Sequence, residues 1–484
     1  MATPTTGTAP ARPLSAVEQR GIEPVPVADR NGNPLQLFWV WFAANISVLG
    51  LPLGVALVAG GLSIWQAVLV AALGSFGSFA LVGVISIAGR RGGAPSLTLS
   101  RATFGARGNI GPTAVALCSR LGWETVNTST AALAFVTMCS LAFSTGSGAK
   151  DVPLLTVLGV LVFVACTVAV SGMGHAVILV VQRWATWVFG VLNLAVIAVI
   201  VPAVDWSAVG TGPSGSLAAV LTGIGTIAAG TGIGWASSGA DMARYQSPAV
   251  RAGSLVASAA AGAGIPLVVM ISLGSLVGAS DPAVLGSANP LDAIRETLPT
   301  PIAVVYLLAS FVGLLLSNHL SVYSAGLTTL TLGIRIRRVH AVLVDVVLTT
   351  TASLCFLLIA DGFYGPFITF ISVLSIPITA WVGVFCVDMI GRRTYDDEAL
   401  LDLRPGSGYW YRGGVEWRAF GSWLLAIVVG ALFIRLQPGE VPWFTGPLNG
   451  TWLGRNGLGW VVTGLVAAIG HALQGGARRR DDAR

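Results

Sequence analysis

The chain has 484 residues, of which 54% are hydrophobic and only 10% are charged, with a mean hydropathy of +0.79. A soluble globular domain carries about 25% charged residues, so that class is excluded and an all-α polytopic membrane protein is expected. The formal net charge of +6 invites a nucleic-acid reading, but the basic residues are distributed by membrane topology.

The first residues, up to about Arg30, are rich in Ala, Thr and Pro and hold no apolar h-region, so they read as a cytosolic tail with no cleavable signal. Twelve apolar spans follow, at roughly 36–60, 64–88, 110–142, 153–171, 176–202, 217–239, 253–278, 301–331, 338–360, 366–390, 420–436 and 455–474. With the N-terminus inside, the inner loops collect most of the arginines, among them Arg90, Arg91, Arg183, Arg251, Arg335, Arg392, Arg404, Arg478, Arg479 and Arg480. The outer loops receive Lys150, Arg295, Arg435 and Arg455. This bias, roughly fivefold, predicts a multi-pass plasma-membrane protein with both termini cytoplasmic.

The spans divide into a tail (1–35), a five-helix repeat (36–202), a second, inverted five-helix repeat (217–390), a cytosolic loop (391–419), a helix pair (420–474) and a basic tail (475–484). Inverted halves make the sixth span the partner of the first, and a midplane site is expected where both are irregular. The first span, LFWVWFAANISVLGLPLG, carries Asn45, Ser47, Gly50, Pro52 and Gly54 in an otherwise apolar run. In the third span, SRLGWETVNTST, the residues Arg120, Trp123, Glu124 and Asn127 recur every three or four positions and share one helical face. Arg120 and Glu124 stand one turn apart, so a self-neutralised pair closing a helix contact is one reading. The other has Trp123 offering a flat ring, Asn127 supplying amide hydrogen bonds, and Glu124 carrying a coupling proton.

The sixth span ends in GTGIGWASSGADMAR, Gly230 to Arg244. Each Gly costs about 1 kcal/mol relative to Ala in a helix, so the run reads either as a broken helix exposing backbone to a substrate or as a close-packing glycine face. Asp241 and Arg244 fall at its cytoplasmic mouth, as a solvated pair or a gate. The eighth span, LLLSNHLSVYSAGLTTL, bears a polar stripe that includes Ser317, Asn318, Ser321 and Ser324. The five cysteines show no CxxC spacing and read as packing residues. With no GxSxG, P-loop or metal-spaced His/Cys/Asp cluster, an enzyme is not expected.

GIEPVP at Gly21–Pro26, FWVWFAANISVLG in the first span, TFGARG at Thr103–Gly108, LGW at Leu121–Trp123 and GWASSGADMARY in the sixth span together resemble the nucleobase:cation symporter-1 family, which includes purine and cytosine permeases and hydantoin transporter relatives. The likeness runs from about Gly21 to Arg393. It implies a leucine-transporter-like 5+5 inverted repeat plus two C-terminal helices. It also implies a planar base held between Trp123 and a span-six aromatic, here Trp235, with Asn45, Asn127, Asn318 and the backbone of Gly232 and Gly234 reading its edges. The family's cation site points to the backbone of Ala43 and Ile46 and to Ser317 and Ser321, and Arg120, Glu124, Asp241 and Arg244 are candidates for coupling or gating.

The expected function is a symporter importing a nucleobase such as cytosine or a purine, or a related planar heterocycle, by alternating access. A sodium ion or a proton is the coupling ion and no other cofactor is expected. The expected partners are that small heterocycle and the lipid bilayer, with no nucleic acid and no obligatory protein partner. The alternatives are a hydantoin, allantoin or vitamin-like heterocycle permease, and an amino-acid carrier of the same fold.

Overall fold

The computed structural model describes residue 18 and residues 20–476, apart from 147, 172, 174, 211, 213, 286–289, 335, 361–363 and 439–440. Most of the N-terminal tail (1–17), the end of the basic tail (477–484) and Arg335 lie outside the described residues.

Helix α1 (Pro34–Asn45) starts at a capping box in which Asn33 and Gln36 satisfy each other's backbone N–H, with Pro34 in the first turn. It stops at Asn45, and the chain turns by 65° before resuming as α2 (Gly50–Ala59). The break has local causes. The Asn45 amide folds back onto Trp41 O at 2.8 Å, Ser47 Oγ accepts from Leu49 N at 3.3 Å, and Pro52 has no N–H for the preceding turn.

The other spans are α3 (Ile64–Gly92), α4 (Ile110–Phe143), α5 (Pro153–Ser171), α6 (His175–Ala203), α7 (Leu217–Ala228) with α8 (Gly239–Ala243), α9 (Ala252–Ser280), α10 (Thr300–Thr331), α11 (Arg338–Leu358) and α12 (Tyr364–Gly391). Two shorter apolar helices follow, α13 (Trp417–Ala431) and α14 (Gly459–Leu473). The described residues thus carry ten spans in two groups of five, each group opening on an irregular helix, and an appended pair.

Against α2, helix α9 approaches to backbone contact. A methyl group at Gly54 would overlap the main chain of Ile271 to Ser275, and one at Gly274 would overlap that of Leu51. Ser275 Oγ donates to Gly54 O at 3.1 Å across this seam. With no hydrophobic drive between helices in lipid, such close approach is what holds them together.

Along the sixth span the helix is rewound, not unwound. It widens into a π turn at Ala229–Ile233, tightens into a 3-10 turn at Ala236–Ser238 and ends as α8. Serines of α3 take up the hydrogen bonds these turns release. Gly232 N donates to Ser78 Oγ at 3.2 Å, and Ser86 Oγ donates to Gly239 O at 3.0 Å. Ser96 Oγ, just after α3, accepts from Ala240 N at 2.9 Å. Irregular backbone survives at membrane depth because protein satisfies it.

Two boundaries differ from expectation. The eleventh span stops at Ala431, and Arg435–Leu436 (β1) pairs with Phe444–Thr445 (β2) in a hairpin where a helix to 436 was predicted. The twelfth begins at Gly459, after a separate turn at Trp452–Arg455. The 391–419 connection is packed rather than loose: Arg101 donates to Leu400 O at 2.7 Å and Tyr411 to Ala102 O at 2.6 Å.

Candidate functional site

A cavity of about 830 Å³ lies between the two irregular spans and α4, and Asn45, Ser47, Trp123, Asn127, Gly234, Trp235 and Ser317 all contribute to its wall. It extends past Thr222 and Thr226 of α7 to Asp292 and Tyr306, to Ile434, Arg435 and Asn449 of the connection between α13 and α14, and to Trp460 of α14. All of these lie toward the end of the bundle that bears the α2–α3 turn. The appended pair and its connection therefore form part of the wall, a role not expected from the sequence.

Helix α4 supplies one side of the cavity, and its polar face splits in two. Arg120, Trp123 and Asn127 line the cavity, while Glu124 turns toward Asp345 of α11 and Ser321 of α10. The expected Arg120–Glu124 pair does not form. Arg120 instead donates to Gly234 O, and its guanidinium sits 4.5 Å from the centroid of the Trp235 ring. Trp235 also meets Trp41 edge-on, with centroids 5.5 Å apart and planes at 69°. One face of Trp235 is therefore covered by a cation, which corrects the picture of two bare rings. Trp123 is half-buried, with its indole nitrogen beside Gly234.

Asn127 Nδ2 donates to Asn318 Oδ1 at 3.4 Å, and Asn318 Nδ2 donates to Thr167 Oγ1 at 3.2 Å. Asn318 thus stands behind Asn127 and orients it from outside the cavity lining. Gly232 departs further from expectation. It faces Ser78 and Phe79 of α3, where a side chain would not fit, and its N–H is already taken. With Arg120 on Gly234 O, the backbone proposed to read a substrate is largely occupied.

Ala43 and Ile46 pack with Leu316 in an apolar cluster, and Ile46 O lies against Gly313, one turn before Ser317 on the same face of α10. Ser321 leaves this group, because its hydroxyl is directed at Glu124.

At the opposite end the bundle is shut. Asp241 and Arg244 are both almost fully buried, so they are not a solvated pair. Asp241 accepts from Ser96 N at 2.8 Å and Ser324 Oγ at 2.6 Å. Arg244 donates to Gly21 O at 2.6 Å, Glu18 at 2.8 Å and Tyr323 Oη at 2.7 Å. Tyr245 Oη and His175 N also donate to Glu18, at 2.6 and 2.8 Å. Burial alone would raise the Glu18 carboxyl, but the Arg244 charge and these hydrogen bonds outweigh it and hold it below its usual range. The N-terminal strap is thereby pinned across the closed end.

Sequence reasoning missed Asp345. A lone carboxylate in VLVDVVL is a signal in itself, since ionisable groups at membrane depth are costly and usually functional.

The model of the family described as permeases for cytosine/purines, uracil, thiamine and allantoin matches residues 24–454. The chain is 24% identical over 465 residues to the putative purine-cytosine permease YxlA of Bacillus subtilis (strain 168), covering 94% of each. Its fold is similar to that of Mhp1, a nucleobase-cation-symport-1 family transporter, in a closed conformation with bromovinylhydantoin bound: TM-score 0.73, 20% identity, 94% of this chain and 95% of that one. Mhp1 in its inward-facing conformation gives a TM-score of 0.67 at 18% identity, covering 95% of this chain and 94% of that one. MhsT in complex with L-phenylalanine gives 0.52 at 12% identity, covering 93% and 99%.

Proposed function

The chain belongs to the family of permeases for cytosine/purines, uracil, thiamine and allantoin, and from that membership we propose that it is a cation-driven symporter importing a nucleobase or a closely related planar heterocycle. The observation that carries this reading is the wall of the cavity, where Trp123 stands beside Gly234 and the amide of Asn127 is oriented from behind by Asn318. A flat ring with an ordered amide suits a planar substrate whose edges carry donors and acceptors. An analogue with the wrong edge would leave that buried amide unpaired, and this gives discrimination. Trp235, with Arg120 of α4 held against its ring, supplies a further part of the wall.

The cavity reaches toward the end that the arginine bias assigns to the outside, which supports an outward-facing reading of this conformation. The Glu18–Arg244–Tyr323 cluster closes the cytoplasmic side, and alternating access requires it to part while the outer side shuts. Import is driven by sodium or a proton.

A thermal-shift screen of the purified protein against cytosine, adenine, uracil, allantoin and a hydantoin, each in sodium and in potassium, tests the proposal. A ligand that binds only the folded state raises its apparent stability by mass action. One heterocycle stabilising strongly supports the reading. Stabilisation by amino acids, with none by any heterocycle, overturns it.

A further inference from the structure

Within the membrane, Glu124 of α4 and Asp345 of α11 face each other, with Glu124 wholly buried and Asp345 2% exposed. The carboxylate oxygens of both lack a hydrogen bond of regular geometry, and so does Ser321 Oγ, 1% exposed and directed at Glu124 from α10. No ion pair reaches either acid among the described residues; Arg120, one turn away on α4, is the cation whose charge is felt at Glu124. Its guanidinium is already engaged by Trp235 and Gly234 O. From α10 the group facing Glu124 is Ser321, while the neighbouring His319 is turned toward Cys166 of α5. From α11 it is Asp345, and the titratable group facing Asp345 is Glu124.

Two facing carboxylates at membrane depth cannot both hold a negative charge at acceptable cost, and one cation nearby balances only one of them. Arg120 with the two acids is neutral when the acids hold a single proton between them. We propose that Glu124 and Asp345 share this proton and that it is the coupling ion, taken up from the outer cavity past Ser321 and released to the cytoplasm once per transport cycle. The step is a proton transfer alone: a carboxylate becomes a carboxyl on loading and gives the same proton to water on release.

Ser321 borders both the cavity and Glu124, so it offers a route between the cavity and the acids. Arg120 links the acids to the irregular sixth span, which must move in alternating access. Loading the acids changes the charge beside Arg120 and so the hold of Arg120 on Gly234 and Trp235. The inference rests on the symporter reading.

The test uses the full chain in proteoliposomes and radiolabelled cytosine, adenine, uracil and allantoin, with either a pH or a sodium gradient imposed. A one-unit pH difference drives about tenfold accumulation of a neutral substrate for one proton carried. In E124Q and D345N the ratio of uptake with a pH gradient to uptake without one should fall to unity. Infrared difference spectra should show a protonated-carboxyl C=O band in the wild type that disappears in either variant, and this readout needs no substrate. Accumulation that follows sodium alone, or an undiminished pH response in the E124Q/D345N double variant, overturns the proposal. If no compound moves under any gradient, the symporter reading fails, and the infrared band judges the shared proton separately: its absence from the wild type overturns that too.

Discussion

The guanidinium of Arg120 lies over the indole of Trp235 at 4.5 Å from the ring centroid and donates to the carbonyl of Gly234, so a single side chain ties α4 to the rewound part of the sixth span. Lysine would keep the charge but lose both the planar stacking and the forked donor geometry. Arg120→Lys is expected to cost about 1–2 kcal/mol of stability, seen as a lower melting temperature in detergent. An unchanged melting temperature would mean the contact contributes no stability.

Trp123 is expected to carry the stacking of the substrate. Trp123→Ala should raise KM at least about tenfold, from lost ring contact and lost apolar burial, while Trp123→Phe keeps part of the affinity. Uptake kinetics of cells expressing equal amounts of each variant decide this. Equal KM values in all three would make Trp123 a packing residue.

Gly54→Ala should destabilise the protein by about 1–3 kcal/mol, because the added methyl meets the main chain of α9, which cannot step aside. Gly253, near the start of the same α9, has open space around it, and Gly253→Ala should shift stability by less than about 0.5 kcal/mol. Thermal unfolding of the two variants side by side checks the contrast.

Closure at the cytoplasmic end should weaken in acid. The Glu18 carboxyl is held below its ordinary value of 4.5, so its stabilisation is fully present above that value and is lost as pH falls through the lower, folded value. Protease accessibility of the N-terminal strap in the wild type should therefore rise as pH drops below 4.5. Glu18→Gln should leave the strap accessible at neutral pH and remove that dependence.

Much of the fold is legible in the sequence because membrane spans are written locally. Runs of about 20 apolar residues mark the helices, and a miscounted span would have inverted the arginine bias of every later loop. The break after Asn45 is equally local, set by Asn45, Ser47 and Pro52. What sequence could not supply is the partner of a side chain. Arg120 and Glu124 look paired because they are one turn apart, yet each finds a better or closer neighbour on another helix, Trp235 for one and Asp345 for the other. Gly232 and Gly234 look alike in the motif, but only the three-dimensional course of the helix turns Gly232 toward α3 and Gly234 toward the cavity.

The last two helices have 15 residues each. At about 1.5 Å per residue each spans about 22 Å, well short of a hydrocarbon layer about 30 Å thick. The connection between them carries Trp443 and Trp452, both exposed, which suit the interfacial belt. A bilayer thinned beside this pair would match its length, and its connection also walls the cavity. Hydrophobic mismatch then acts directly on the transport route, so lipids with shorter acyl chains should favour the conformation described, and thick, sterol-rich membranes should work against it.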